Sequence, residues 1–198
     1  TWDDYYKAAK KIKATGAYIT ADSGDASFYD AMIWLAGGKP FATSQDGKNV
    51  TVNLTGDKGV RKFTAFWQKM INEDLIDTRN VTWSDGWKRG LGRGTIASVF
   101  SGAWMTSLLQ SDVPGSAGLW RVAQMPTADG KQVTAENGGS AICVLQSTRK
   151  PDAAYRFAEF VAHNAEGISA RVDGGAFPAD LPTLTSPEFL SRTTIKDS

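Results

Sequence analysis

Apolar positions recur with a helical period over residues 1–16, "TWDDYYKAAKKIKATG", where Tyr5, Ala8, Ala9 and Ile12 fall three or four residues apart. Thr1 stands where an N-cap is wanted. Asp3 and Asp4 suit the positive first turn, and Lys10, Lys11 and Lys13 suit the last. Gly16 can take the left-handed conformation that ends a helix. "AYIT" (17–20) then reads as a short buried strand. A second helix is expected over 25–38, with Phe28, Met32 and Leu35 or Ala36 on one face and Gly37-Gly38 as its stop. "DGKNVTVNL" (46–54) predicts a turn and a short alternating strand. The clearest pattern runs from Asp57 to Asn72. Val60, Phe63, Trp67, Met70 and Ile71 form one apolar stripe there, with Lys58, Arg61, Lys62 and Lys69 elsewhere, so Trp67 is read as a core residue.

Further along, residues 82–100, "TWSDGWKRGLGRGTIASVF", predict a short helix, a glycine-rich loop and a buried strand over 95–100. A helix begins near Trp104 and runs through Leu109 into the Pro/Gly loop "SDVPGSAG". "LWRVAQMP" (119–126) reads as a strand, "TADGK" as a polar turn, and "TAENGGSAICVL" (134–145) as a glycine-broken entry into a buried strand. "STRKPDAAYRFAEFVAH" (147–163) predicts a helix with Pro151 in its first turn and apolar positions at 154, 157, 158 and 161. In the tail, "SARVDGGAFPADLPTLTSPEFL", glycine and proline crowd and the period fades. It reads as a connector with a short helix near Pro187. Strands and helices alternate throughout, which places the chain in the α/β or mixed α+β class.

Composition narrows the chemistry. The 198 residues are 41% hydrophobic and 22% charged, with a formal charge of +1, which is globular and argues against nucleic acid as the main partner. No run of apolar residues is long enough for a transmembrane helix, and any export signal is expected upstream of Thr1. One cysteine, Cys143, cannot form an internal disulfide, and one histidine, His163, cannot support a His/Cys metal cage. Cys143, inside "SAICVL", is expected to be a small buried residue, and His163 to sit near a helix end. The glycines of "GLGRG" do not form a phosphate cradle, because the Gly-Lys-Ser/Thr step into a helix is missing.

Aromatic residues are the enriched class. Seven tryptophans are present, several beside glycine or in predicted loops. Their flat apolar faces match the C–H faces of sugars, which raises carbohydrate binding as a hypothesis. Trp104, at the corner "SVFSGAW" where a strand meets a helix, either plugs the core or is displayed to a ligand.

In series, "TWDDYYKAAKKIKATG", "IWLAGGKPF", "GLGRGTIASVFSGAW", "WRVAQMP", "GGSAICVLQSTRKPDAAYRFAEFVA" and "DGGAFPA" resemble the extracellular solute-binding proteins of sugar ABC transporters, the group that includes maltose-binding protein. The resemblance implies a periplasmic-binding-protein-like α/β fold of type II, with two lobes and a ligand cleft between them. Members are usually about twice this long. The chain is therefore expected to hold mainly the C-terminal lobe (1–137), a returning piece of the N-terminal lobe (138–172) and a return connector to the C-terminal lobe (173–198).

The same resemblance implies capture of a sugar outside the cytoplasm and delivery to membrane permease subunits, with no catalysis, metal or cofactor. The carbohydrate ligand would meet Trp104 as a stacking platform and Asp25 and Phe28 in the loop opening the second helix. Glu136, Asn137, Gly138 and Gly139 would lie at the first lobe crossing, Arg171 and Asp173 at the second. Trp83 and Trp87 are further candidates for the cleft wall. Simpler roles stand beside these: Asp25 as a helix cap, 136–139 as a plain loop. Three rival functions also stay open. A glycoside hydrolase fragment needs two paired carboxylates, and nothing in the sequence pairs Glu136 with Asp173. The other two are a solute-binding protein for a non-sugar ligand and an interaction domain whose tryptophans bind protein.

Overall fold

The computed structural model describes residues 1–24, 28–131, 133–135 and 137–192. By internal contacts the chain divides into two compact units, residues 1–100 with 119–137, and 101–118 with 138–198. The sequence expectation had a single lobe through 137; the contact units separate 101–118 from it.

In the first unit, α1 (Trp2–Lys13) starts at a capping box in which the Thr1 hydroxyl accepts the Asp4 N–H at 3.3 Å. The unit continues through β1 (Thr20–Ala21), α2 (Tyr29–Leu35), β2 (Phe41–Thr43), β3 (Val50–Val52), α3 (Lys58–Asn72), β4 (Ile76–Asp77) and α4 (Asp85–Gly92). Asp57 caps α3 by accepting the Val60 N–H at 2.8 Å. The α3 stripe falls inward: Val60, Phe63, Trp67 and Met70 are buried against Trp2 and Ala9 of α1, Met32, Ile33 and Leu35 of α2, and Ile19, Ile76 and Phe100. Phe63 and Trp67 stack with ring centroids 5.5 Å apart. The turn from α2 approaches α3 so closely that a Cβ on Gly59 would lie 2.5 Å from the Gly38 backbone, which is why glycine occupies both positions.

Three extended segments run parallel. β1 pairs with β4 in the register Thr20↔Ile76 and Ala21↔Asp77, and on its other side Tyr18 bridges to Ile96. Parallel neighbours point their carboxyl ends the same way, so Asp22, the 77–84 turn and residues 98–100 emerge at one edge. β2 and β3 form a separate antiparallel hairpin with every residue exposed.

The second unit contains α5 (Met105–Asp112), a 3₁₀ turn (Pro114–Ser116), α6 (Pro151–His163), α7 (Ala165–Asp173), α8 (Leu181–Leu184) and α9 (Pro187–Leu190). Asn164 caps α7 by accepting the Glu166 N–H at 2.9 Å. Phe177 meets Phe189 edge to face at 5.4 Å, and Arg192 pairs with Asp173 at 3.0 Å.

Several expectations are corrected. Among the described residues, 95–100 forms a single bridge rather than a strand, and 119–126 and 138–145 form no strand. A strand exists only where a neighbour shares its hydrogen bonds: 95–97 finds one in Tyr18 alone, and 119–126 and 138–145 form no ladder among the described residues. Cys143 is consequently exposed instead of buried. The helix α6 forms as its spacing predicts, but none of its residues is buried and Phe157 is 64% exposed. Helices α7 and α8 occupy a stretch read as connector; α9 begins at Pro187 as expected.

Candidate functional site

At the carboxyl edge of the parallel segments the first unit carries an open depression. Its enclosed part is only about 20 Å³, room for roughly one water molecule. The walls are aromatic and the polar groups few. Thr20 and Asp22 come from the end of β1, Phe28 and Tyr29 from the start of α2, Trp67 from α3, Thr82 from the turn after β4, Trp87 from α4, and Val99 and Phe100 from the third extended segment. In open α/β sheets this edge is where ligands bind, because loops there are free to vary while the strands hold them in place.

Two features fix the polar part. The Asp22 carboxylate accepts the Trp67 indole N–H at 2.7 Å and the Gly24 N–H at 2.8 Å, so the acid is held while retaining lone pairs for further donors. Asp77, almost fully buried, accepts the Arg79 N–H at 3.0 Å and the Asn80 amide at 2.5 Å. Burial alone would push the Asp77 carboxyl up. The Asn80 and Arg79 hydrogen bonds and the Arg79 charge outweigh that and hold it below the usual carboxylate range.

This knot anchors the turn that presents Thr82 and Trp83. The Ser84 N–H donates to the Val81 carbonyl at 3.0 Å, and the Ser84 hydroxyl caps α4 by accepting the Trp87 N–H at 3.2 Å. Trp83 sits within the turn at φ +72°, a conformation that glycine or asparagine normally supplies. Its ring lies 5.0 Å from that of Trp87, tilted by 57°. Trp87 is only 3% exposed, whereas Trp83 is 40% exposed.

Of the residues nominated from sequence, Phe28 and Trp87 meet at the depression, and Trp83 packs beside Trp87. Asp25 and Glu136 lie outside the described residues. Trp104 belongs to the second unit, where it precedes α5 and is half-buried. Gly138 passes beside it: a Cβ there would lie 3.3 Å from the Trp104 Nε1, and φ values of +101° and +135° at Gly138 and Gly139 need glycine. Asn137 falls in the first unit and is half-buried; Arg171 is half-buried on α7, and Asp173 ends that helix, paired with Arg192.

Sequence reasoning missed Asp22, Tyr29 and Thr82. The available signal was position, since Asp22 follows "AYIT" at a strand's carboxyl end. Trp67 is buried in the core as expected, at 5% exposure, and also contributes one edge to the depression. Among the described residues no group of three His, Cys, Asp or Glu side chains could hold a metal ion, and no helix is long and apolar enough to cross a membrane.

Residues 1–189 match the family model of the bacterial extracellular solute-binding proteins. The chain belongs to that family. Within it, this solute-binding chain is 29% identical over 161 residues to the lactose-binding protein of Rhizobium radiobacter, covering 79% of its own length and 36% of the relative's. A solved structure superposes with a TM-score of 0.90 at 56% identity. It is the ABC transporter associated binding protein from B. animalis subsp. lactis Bl-04 in complex with beta-1,6-galactobiose, and the match covers all of this chain and 48% of that one. The solute-binding chain thus spans about half, or less, of the length of these relatives.

Proposed function

We propose that the protein containing this chain captures a galactose-containing oligosaccharide outside the cytoplasm and passes it unaltered to the permease of an ABC transporter. The observation that carries this reading is the 56% identity, sustained along the whole chain, to a binding protein solved with a galactobiose. At that identity a ligand-facing surface is carried over with the fold far more often than fold alone would carry it. The lactose-binding relative points to the same sugar class.

The chemistry of the depression suits that ligand. Aromatic walls offer apolar area to the C–H face of a pyranose. Asp22 and the Thr20 and Thr82 hydroxyls offer acceptors and donors to its hydroxyl edge. A carboxylate accepting from a sugar hydroxyl makes a charge-assisted bond, the stronger kind. The enclosed volume is far too small to bury a sugar, and in this reading the depression is one wall of the site.

In this reading the fold is of type II, Gly138 and Gly139 mark a crossing between lobes, and Trp104 is a stacking platform. A ligand favours the closed form only by binding it better than the open one.

Isothermal titration of the full-length protein with β-1,6-galactobiose, lactose, maltose and galactose tests the proposal, with chromatographic analysis of the sugars afterwards. Saturable binding of a galactoside with no product is expected. Binding of none of these sugars, or their hydrolysis, would refute it.

A further inference from the structure

The hairpin β2–β3 takes no part in the depression, and both of its strands are exposed along their whole length. We infer that one face of this hairpin is a contact surface for an anionic lipid bilayer. In its antiparallel register Phe41 lies opposite Val52 and Thr43 opposite Val50, so these four residues share one face, while Ala42 and Thr51 share the other. The Trp34 ring meets Phe41 edge on, with centroids 6.4 Å apart, and extends the apolar face onto α2. Phe41 is 40% exposed, Val52 59% and Val50 65%. A two-stranded ribbon is marginal by itself, and a contiguous apolar face left open on one marks a surface that something covers.

Charge identifies the partner. Residues 38–62 carry five basic side chains, Lys39, Lys48, Lys58, Arg61 and Lys62, against the acids Asp46 and Asp57, whereas the whole chain is only +1. All five basic residues are exposed. Both acids are tied into local turns. Asp46 accepts from the Ser44 hydroxyl at 2.6 Å and the Lys48 N–H at 3.2 Å, and Asp57 accepts from the N–H groups of Val60 and Lys39 at 2.8 and 3.2 Å. The remainder of the chain is therefore net negative, and an anionic surface orients the molecule with this basic segment foremost. Lysine stems can lie along apolar area while their ammonium groups reach phosphates. Aromatic and β-branched side chains bordered by lysines thus gain twice at a bilayer, from apolar burial and from attraction to anionic headgroups. A second copy of the chain suits the face less well, because a two-fold interface sets the patch against itself, basic against basic. The family is extracellular, so the outer side of a membrane is within reach. The inference needs that location and not the identity of the sugar.

The test is co-sedimentation of the full-length polypeptide, expressed in the cytoplasm so that no lipid is attached, with two kinds of vesicle. One holds equal parts of phosphatidylglycerol and phosphatidylcholine, the other phosphatidylcholine alone. Two double variants go through the same assay, Val50→Ser with Val52→Ser and Lys39→Gln with Lys48→Gln, and their melting temperatures are measured alongside. The unsubstituted protein should bind the anionic vesicles, release them as salt is raised, and bind phosphatidylcholine about tenfold or more less tightly. Each double variant should lose about tenfold or more of the affinity for anionic vesicles, with its melting temperature unchanged. The lysine pair is exposed, so that variant reads the surface even where the serine pair loosens the hairpin. No binding to the anionic vesicles, equal binding to both kinds, or an affinity untouched in either variant would overturn the inference. So would self-association of the unsubstituted protein, seen by analytical ultracentrifugation and lost in the serine variant, because it makes a second copy the occupant of this face.

Discussion

The bond between Trp67 and Asp22 joins the core of the first unit to its depression, and a double-mutant cycle measures it. Asp22→Ala removes the acceptor of the indole N–H at 2.7 Å and of the Gly24 N–H at 2.8 Å. Gly24 is exposed, so water replaces that second bond at little cost. Trp67 is 5% exposed, so its N–H is left poorly solvated, and the substitution should cost about 1–3 kcal/mol. Trp67→Phe keeps a ring in the core but loses both the donor and part of the packed volume, about another 1–3 kcal/mol. If each change removes the same bond, the double variant is less destabilised than the sum. The shortfall should be about 1.5 kcal/mol, the low end for a hydrogen bond to a charged group, because Asp22 keeps partial access to water. Urea unfolding of the full-length protein and the three variants, followed by far-UV circular dichroism, reads the four stabilities without relying on indole fluorescence. A coupling below about 0.5 kcal/mol, within the scatter of independent sites, would refute the claim that this contact ties the core to the depression.

Other consequences are as direct. Gly59→Ala puts a Cβ 2.5 Å from the Gly38 backbone, where no side chain can swing aside, so the melting temperature should fall by several degrees, consistent with about 1–3 kcal/mol of overpacking. Asp77 has its folded pKa lowered, so it favours the folded state fully above the ordinary carboxylate pKa and loses that contribution as pH falls through the lowered value. The stability gap between the unsubstituted protein and Asp77→Asn should accordingly be flat near neutral pH and narrow below about pH 4, as denaturation midpoints at several pH values will reveal. Trp104→Ala in the full-length protein should weaken galactoside binding about tenfold or more with far-UV dichroism unchanged; an unaltered affinity would remove Trp104 from the site.

Elements whose cause lies within a few residues were legible in the chain. A cap at Thr1 or Asp57, a stripe at Val60, Phe63, Trp67 and Met70, or Pro151 in a first turn acts over one or two helical turns, and α1, α3 and α6 form where those signals stand. Strands were not legible in the same way. "SAICVL" and "LWRVAQMP" have strand composition, yet a strand is a relation between two segments, and among the described residues neither forms one.

The candidate site divides along the same line. Phe28, Trp83 and Trp87 could be nominated from residue type, because an aromatic beside a glycine or a helix start is visible in any sequence. Asp22, Tyr29 and Thr82 could not, because they become neighbours only when β1, β4 and the segment after Ile96 align in parallel and bring distant carboxyl ends to one edge. The left-handed backbone of Trp83 is likewise a tertiary outcome: local preference puts glycine there, and only the Asp77 knot on one side and the Ser84 cap on the other hold an indole in its place.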